Sequence, residues 1–275
     1  MIPTPDVSAS GYRDEPLPPR YAVAGVLASA TTYGDATRHI VRAAAGRRSL
    51  LVAATSVHGV TIAASDPQFR VQLNAFDVIT PDGQPIRWGL NLLHGAGLAE
   101  RVYGPTLMLH VCQAAANAGL SVYFYGSSDA VLEQLAVKLR ERLPGLRIAG
   151  SCSPPFRAAT PAEERADAEA IIESGAHIVF VGLGCPRQER WAFGQRERLP
   201  MPIVCVGAAF DFHAGTLRQA PTWMQRRGLE WAFRLGMEPR RLWRRYMRAI
   251  PIFVFLLGRQ YIASRRRGNA VTSSI

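Results

Sequence analysis

The sequence predicts an α/β protein: a mostly parallel sheet with helices on both faces, followed by a basic, amphipathic helical C-terminal appendage. Two observations predict the sheet. Short apolar runs alternate with helix-period segments of about 10–15 residues, as in chained βαβ units. The 275 residues are 48% hydrophobic and 19% charged, enough for a full core and too apolar for a disordered chain. A third observation predicts the appendage. The net charge is +11, and residues 218–275 hold 13 arginines against only Glu230 and Glu238, whereas residues 1–217 balance 19 basic groups with 19 acidic ones. An excess so localised points to a polyanionic partner: nucleic acid, anionic lipid or a phosphorylated substrate.

Strands are expected at Tyr21–Ala28, Leu50–Thr55, Asp77–Thr80, Ser121–Tyr125, Leu146–Ala149, His177–Gly182 and Pro202–Gly207, each a short apolar run. Helices are expected between them, at Asp35–Ala45, Pro67–Ala75, Gln84–His94, Pro105–Ala118, Asp129–Arg142, Pro161–Ser174 and Arg187–Arg198. Thr160-Pro161-Ala162-Glu163 reads as N-cap, Pro at the first helical position and Glu two residues further, a capping box. Leu143-Pro144-Gly145 stops the preceding helix. From Pro221 the pattern is helical, with Trp223, Leu229, Trp231 and Leu235 among arginines; after Gly236 a second helix is crowded by Arg240, Arg241, Arg244, Arg245 and Arg248. The apolar run Ile250–Leu257 is far short of the roughly 20 residues of a spanning helix. Flanked by arginines, it suits the membrane interface better than nucleic acid; an ordinary helix packed on the core is the alternative. The resulting division is a flexible segment at 1–20, a catalytic α/β domain at 21–217 and a membrane-associating appendage at 218–275.

The N-terminus has no apolar signal core, and Cys112, Cys152, Cys185 and Cys205 are too scattered for a disulfide framework or a CxxC zinc site. Reduced thiols in the cytoplasm are the default expectation, with no metal and no cofactor. A GxxxxGK[ST] or GxGxxG loop is missing, which disfavours nucleotide hydrolysis and nicotinamide chemistry.

Ligands of open parallel sheets bind beyond the carboxyl ends of the strands. That selects the loops at Thr55–Gly59, Thr80–Gly83, Gly126–Ser128 and Gly182–Glu189, where glycines and helix starts expose N–H groups to anions. Asp82 is the acid of most interest: a turn residue on position alone, or a general base at the catalytic edge. His58 and His213 are expected to make structural hydrogen bonds, and Asp211 either binds ligand or ties down its own loop.

Six segments, in order, resemble the motifs of the WecG/TagA/CpsF glycosyltransferases. They are Thr80-Pro81-Asp82-Gly83, Glu100-Arg101-Val102-Tyr103-Gly104-Pro105, Tyr123-Phe124-Tyr125-Gly126-Ser127, the run from Val181 to Glu189, the run from Gly207 to Asp211, and Gly228–Leu235 with Glu238-Pro239-Arg240-Arg241. The resemblance implies a Rossmann-like fold and inverting sugar transfer. The donor would be a UDP-sugar of N-acetylmannosamine, glucose or glucuronic acid type. The acceptor would be a polyprenyl-diphosphate-linked saccharide, met at the cytoplasmic membrane face during cell-surface polysaccharide synthesis. It implies Asp82 as catalytic base, Gln188 in the active site, and Arg234, Arg241 and Arg244 closing over diphosphate. Thr55, Gly126, Ser127, Gly184, Arg187 and Asp211 complete the expected substrate contacts, Thr55 matching either the Thr or the Asn of the family's Thr-x-Asn loop. The usual Lys-Arg-Ala-Pro is Arg218-Gln219-Ala220-Pro221 here. A homo-oligomer is among the open states. The rival reading, a nucleic-acid-binding protein, would use the tail's arginines and aromatics on phosphates and bases.

Overall fold

Period-two alternation in the strands builds the core. In a computed structural model describing residues 15–272, less the side chains of residues 222, 226, 241 and 267–272, Leu50 and Val52 face one side of their strand and Leu51 and Ala53 the other. The same split recurs at Val122 and Phe124 against Tyr123 and Tyr125, and at Ile178 and Phe180 against Val179 and Val181. Each face therefore gathers its own apolar cluster, and burial on both sides is what an all-parallel sheet requires.

In chain order the elements are β1 (Arg20–Val23), β2 (Val26–Ser29), α1 (Tyr33–Ala45), β3 (Leu50–Thr55), α2 (Val57–Ser65), α3 (Pro67–Asn74), β4 (Val78–Pro81), α4 (Gln84–His94) and α5 (Gly104–Asn117). They continue with β5 (Ser121–Gly126), α6 (Asp129–Arg142), β6 (Arg147–Cys152), α7 (Pro161–Glu173), β7 (Ile178–Gly182), α8 (Arg187–Gln195) and β8 (Pro202–Cys205). The last four are α9 (Ala209–Ala214), α10 (Thr222–Arg226), α11 (Glu230–Met237) and α12 (Pro239–Thr272). β3 to β8 form a parallel sheet in the order β4-β3-β8-β7-β5-β6. Residues of α1, α5, α6 and α9 fill one face and those of α2, α3, α4, α7 and α8 the other. This is the expected α/β architecture with helices on both faces.

Three details differ from the sequence expectation. The run Tyr21–Ala28 is not one strand but the antiparallel β1–β2 hairpin, because Ala24 and Gly25 turn the chain with φ of 50° and 88°, the pattern of a two-residue hairpin turn. The loop expected at Thr55–Gly59 runs into α2, a helix the sequence pattern does not announce: Val60 and Ala63 are wholly buried, and a helix with so little polar face has no amphipathic signal. α9 has six residues, too few for periodicity to register. Of the N-terminal segment, residues 1–14 lie outside the description, while Glu15 pairs with Arg38 at 3.1 Å and the Pro19 carbonyl accepts from Ala30 N–H at 2.8 Å.

The capping box forms: Thr160 Oγ1 accepts from Glu163 N–H at 3.3 Å, and Glu163 Oε2 from Thr160 N–H at 2.8 Å. Arg157 adds a hydrogen bond to Glu163, the largest cause holding that carboxyl down at about 2. In the tail, α12 packs on α2 and α4. Leu242, Ala249 and Phe253 are its buried residues, and Leu257 closes against Gly89 of α4, where an added Cβ would stand 3.2 Å away. Gln260 clasps the hairpin, accepting from Ala24 N–H at 2.8 Å and donating to the Ala22 carbonyl at 2.7 Å. The run Ile250–Leu257 thus has two faces, since Ile250, Ile252, Val254 and Phe255 are exposed. Among the described residues no helix is long and apolar enough to cross a membrane.

Candidate active site

The strand order locates the crevice. The chain leaves β5 into α6 on one face and leaves the adjacent β7 into α8 on the other, so a topological switch point opens between their carboxyl ends. Gly126 and Gly182 face each other there in register. Gly126 has φ +118°, and a Cβ on it would lie 2.7 Å from the Gly182 carbonyl carbon. Only glycine fits so close an approach in that conformation. Ser127 follows with φ +64° and its carbonyl accepts from Ser153 Oγ at 2.8 Å. Gly184 and Gly207 have positive φ and open space where a Cβ would stand.

Asp82 follows β4 on the same edge. Its N–H donates to the carbonyls of Thr55 at 3.2 Å and Thr80 at 2.9 Å, and its Oδ1 accepts from Gly104 N–H at 2.8 Å. It therefore does not cap its own helix, α4, but meets the N-terminus of α5, whose dipole favours an anion. Protein crowds round it, and desolvation pushes its pKa up to about 6, against the lowering effects of Arg101, the Gly104 hydrogen bond and Arg234. Thr55, 3% exposed, lies beside it and leaves Oγ1 buried with no hydrogen-bond partner among the described residues, a cost of about 1–3 kcal/mol unless a ligand supplies one.

Over Asp82 sits α11. Glu230 forms an ion pair with Arg101 from the segment leading to α5, and Tyr103 also hydrogen-bonds Glu230. Arg101 stacks over the Tyr103 ring at 4.3 Å, and Arg234 over Phe212 at 5.5 Å. Arg244 is exposed on α12, and the side chain of Arg241 lies outside the described residues. Arg245 reaches the edge instead: it acts on His58, whose pKa falls to about 4 chiefly through burial and then through this arginine.

Other residues expected to meet substrate also bond within the protein. Arg187 donates to the carbonyls of Pro155, Phe156 and Arg157 at 2.6–3.0 Å, fixing the β6–α7 connection. Gln188 is buried; its Oε1 accepts from Gly207 N–H at 3.1 Å and its Nε2 donates to Glu189 at 2.9 Å. It shapes the turn after β8 from within. The Asp211 carbonyl accepts from Thr216 and Leu217 N–H, and His213 bonds the Pro105 carbonyl at 2.8 Å. Among the described residues no three His, Cys, Asp or Glu side chains group to hold a metal ion. Arg101 and Tyr103 lie in one of the six motif segments and Glu230 in another, and none of the three carries a role that the sequence alone assigns. Their opposite charges were the available signal, and their pairing spans 129 residues.

Comparison with known proteins agrees with this architecture. The model of the glycosyl transferase WecG/TagA/CpsF family matches residues 21–267. A similar relative is the N-acetylglucosaminyldiphosphoundecaprenol N-acetyl-beta-D-mannosaminyltransferase of Bacillus spizizenii strain W23, 32% identical over 70% of this chain and 72% of its own length. The protein of the same description from Bacillus subtilis strain 168 is 28% identical over 65% of this chain and 67% of its own. With the parallel sheet, the glycine-lined switch point and Asp82 on one edge, the chain belongs to the WecG/TagA/CpsF family of glycosyltransferases.

Proposed function

We propose that the protein transfers N-acetylmannosamine from UDP to N-acetylglucosamine on a polyprenyl diphosphate, with inversion at the anomeric carbon. The observation that carries the reading is Asp82, seated at the catalytic edge with a pKa raised to about 6. A base works best when its pKa lies near the working pH. Asp82 takes the proton of the acceptor hydroxyl as that oxygen attacks the anomeric carbon and UDP leaves. The open space at Gly184 and Gly207 admits the diphosphate close to the backbone, and Arg234 supplies positive charge to it as it departs. Thr55 Oγ1, buried at the same edge without a partner among the described residues, is a spare hydrogen-bonding group there. The relatives' acceptor and sugar support this substrate pair.

The membrane face is α12 with α11 and α4. Trp243, Met247, Ile250 and Val254 recur at helical spacing and are all exposed, as are Trp88 and Leu92 of α4 and Trp231 of α11. Arg240, Arg244, Arg248 and Arg259 flank them, also exposed, an arrangement that suits an anionic cytoplasmic leaflet. The test is a donor screen: purified protein, a short-chain polyprenyl-diphosphate N-acetylglucosamine, several UDP-sugars, and detection of released UDP. UDP-N-acetylmannosamine should turn over best. Release from another UDP-sugar alone would reject the donor, and none with any would reject the reaction.

A further inference from the structure

α11 brings two opposite charges to one acid. Glu230 and Arg234 stand one helical turn apart, and both act on Asp82, as does Arg101 from the core, while Asp82 in turn acts on Tyr103 and Tyr33. Among these groups Arg101 and Glu230 are joined directly. Their side chains are 12% and 10% exposed, so the charges are poorly screened by solvent. The guanidinium is held in place from two further directions, by the Tyr103 ring beneath it and by the Tyr103 hydroxyl on the same Glu230 carboxylate. Asp82 is the other carboxylate acting on Arg101. Without Glu230, the cation would turn wholly to Asp82, and a carboxylate paired with a guanidinium is a weak base.

We propose that Glu230 is a positioning residue for the transfer reaction: acting through Arg101, it holds the guanidinium off Asp82, so that the seated α11 leaves Asp82 basic enough to take the acceptor's proton. The proposal rests on Asp82 being that base. In the step, the acceptor O–H proton passes to the Asp82 carboxylate and the acceptor oxygen bonds to the anomeric carbon. The bond from that carbon to UDP breaks with its electron pair on the leaving diphosphate. Glu230 touches none of these atoms. It sets the charge that Asp82 feels, and it comes from the appendage rather than the sheet, so a strong base exists only when the appendage is docked.

The experiment measures kcat/KM against pH for the full chain with UDP-N-acetylmannosamine and a short-chain polyprenyl-diphosphate N-acetylglucosamine. Glu230→Gln should move the acid limb down by about one pH unit, because Asp82 loses a like charge and gains the cation. Arg101→Gln should move it up by about as much, because two carboxylates then face each other without a cation between them. A pair that merely braces the appendage would lower stability and turnover in both variants and leave the limb in place. Limbs that stay put, or that move the same way in both, overturn the proposal. If one variant fails to fold, the sign of the other's shift decides. Asp82→Asn separates this idea from the one beneath it. Normal turnover there removes the base and the proposal together; an inactive Asp82→Asn with unmoved limbs removes the coupling alone.

Discussion

Asp82 accepts a hydrogen bond from Gly104 and feels Arg101 and Arg234, all of which favour its ionised form, yet burial outweighs them. Two consequences follow for this residue. As a base it must be ionised, so kcat/KM should fall with a slope of one as pH drops below about 6. Asp82→Asn should lower kcat about 10²–10⁴-fold while UDP binding, read by calorimetry, is kept. The second consequence is stability. The folded protein holds the Asp82 proton up to about 6, whereas the ordinary value is 3.8. Between those values the folded state binds more protons, and stability declines as pH rises through that window. Asp82→Asn removes this penalty and should be more stable than wild type at pH 7 by about 1–3 kcal/mol, seen in urea unfolding. A less stable variant would mean that the carboxylate is not strained by burial. The acid itself was legible in Pro81-Asp82-Gly83, because a strand end followed by glycine and a helix has a recognisable pattern. Its electrostatic surroundings were not. They depend on Glu230 and Arg101 meeting across 129 residues, which no local signal encodes.

At the level of elements, the sheet was readable because its strands, the edge strand β6 excepted, are buried on both faces and so appear as apolar runs. β3 was placed to the residue, as were α4 and α6, the last stopped by Pro144 and Gly145 just beyond it. α2 escaped because a helix without a polar stripe resembles any other apolar run. The β1–β2 turn escaped because Ala24 is not a residue that advertises positive φ. The crevice between β5 and β7 depends on two glycines for different reasons. Gly126→Ala adds a methyl 2.7 Å from backbone at φ +118°, so β5 and β7 must separate. It should lose roughly 2–4 kcal/mol of stability and most UDP affinity. Gly184→Ala has φ +76° but open space, and should cost about 1 kcal/mol. Comparable losses in the two variants would show that backbone conformation, and not the close approach, limits the site.

Across the whole molecule the net charge is segregated: residues 1–217 balance to zero and the whole excess of +11 lies in residues 218–275. Trp243 and Met247 are 54% and 55% exposed on α12, and neither is needed to hold the helix on the core. Replacing both with serine should weaken partition onto anionic vesicles at least about tenfold, with thermal stability unchanged. High salt should weaken the wild type as well, through the arginines. Retention on nucleic acid at physiological salt, with no vesicle binding, would favour the rival partner. The segregation was legible, since counting charges needs no structure, but the division of α12 into a packed and an open face was not: Phe253 is buried while Phe255, two residues on, is 66% exposed. Gln260 gives that helix a temporal role. The hairpin amide it caps is made 236 residues earlier, so at about 5–20 residues per second a nascent chain waits roughly 10–50 s for its partner. Until then the Ala24 N–H lacks that partner and Gly89 of α4 is covered by Val23 but not by Leu257. A chain cut before Gln260 would leave the Ala24 N–H and the Ala22 carbonyl without this partner, so amide exchange at Ala24 should quicken while the sheet amides keep their protection.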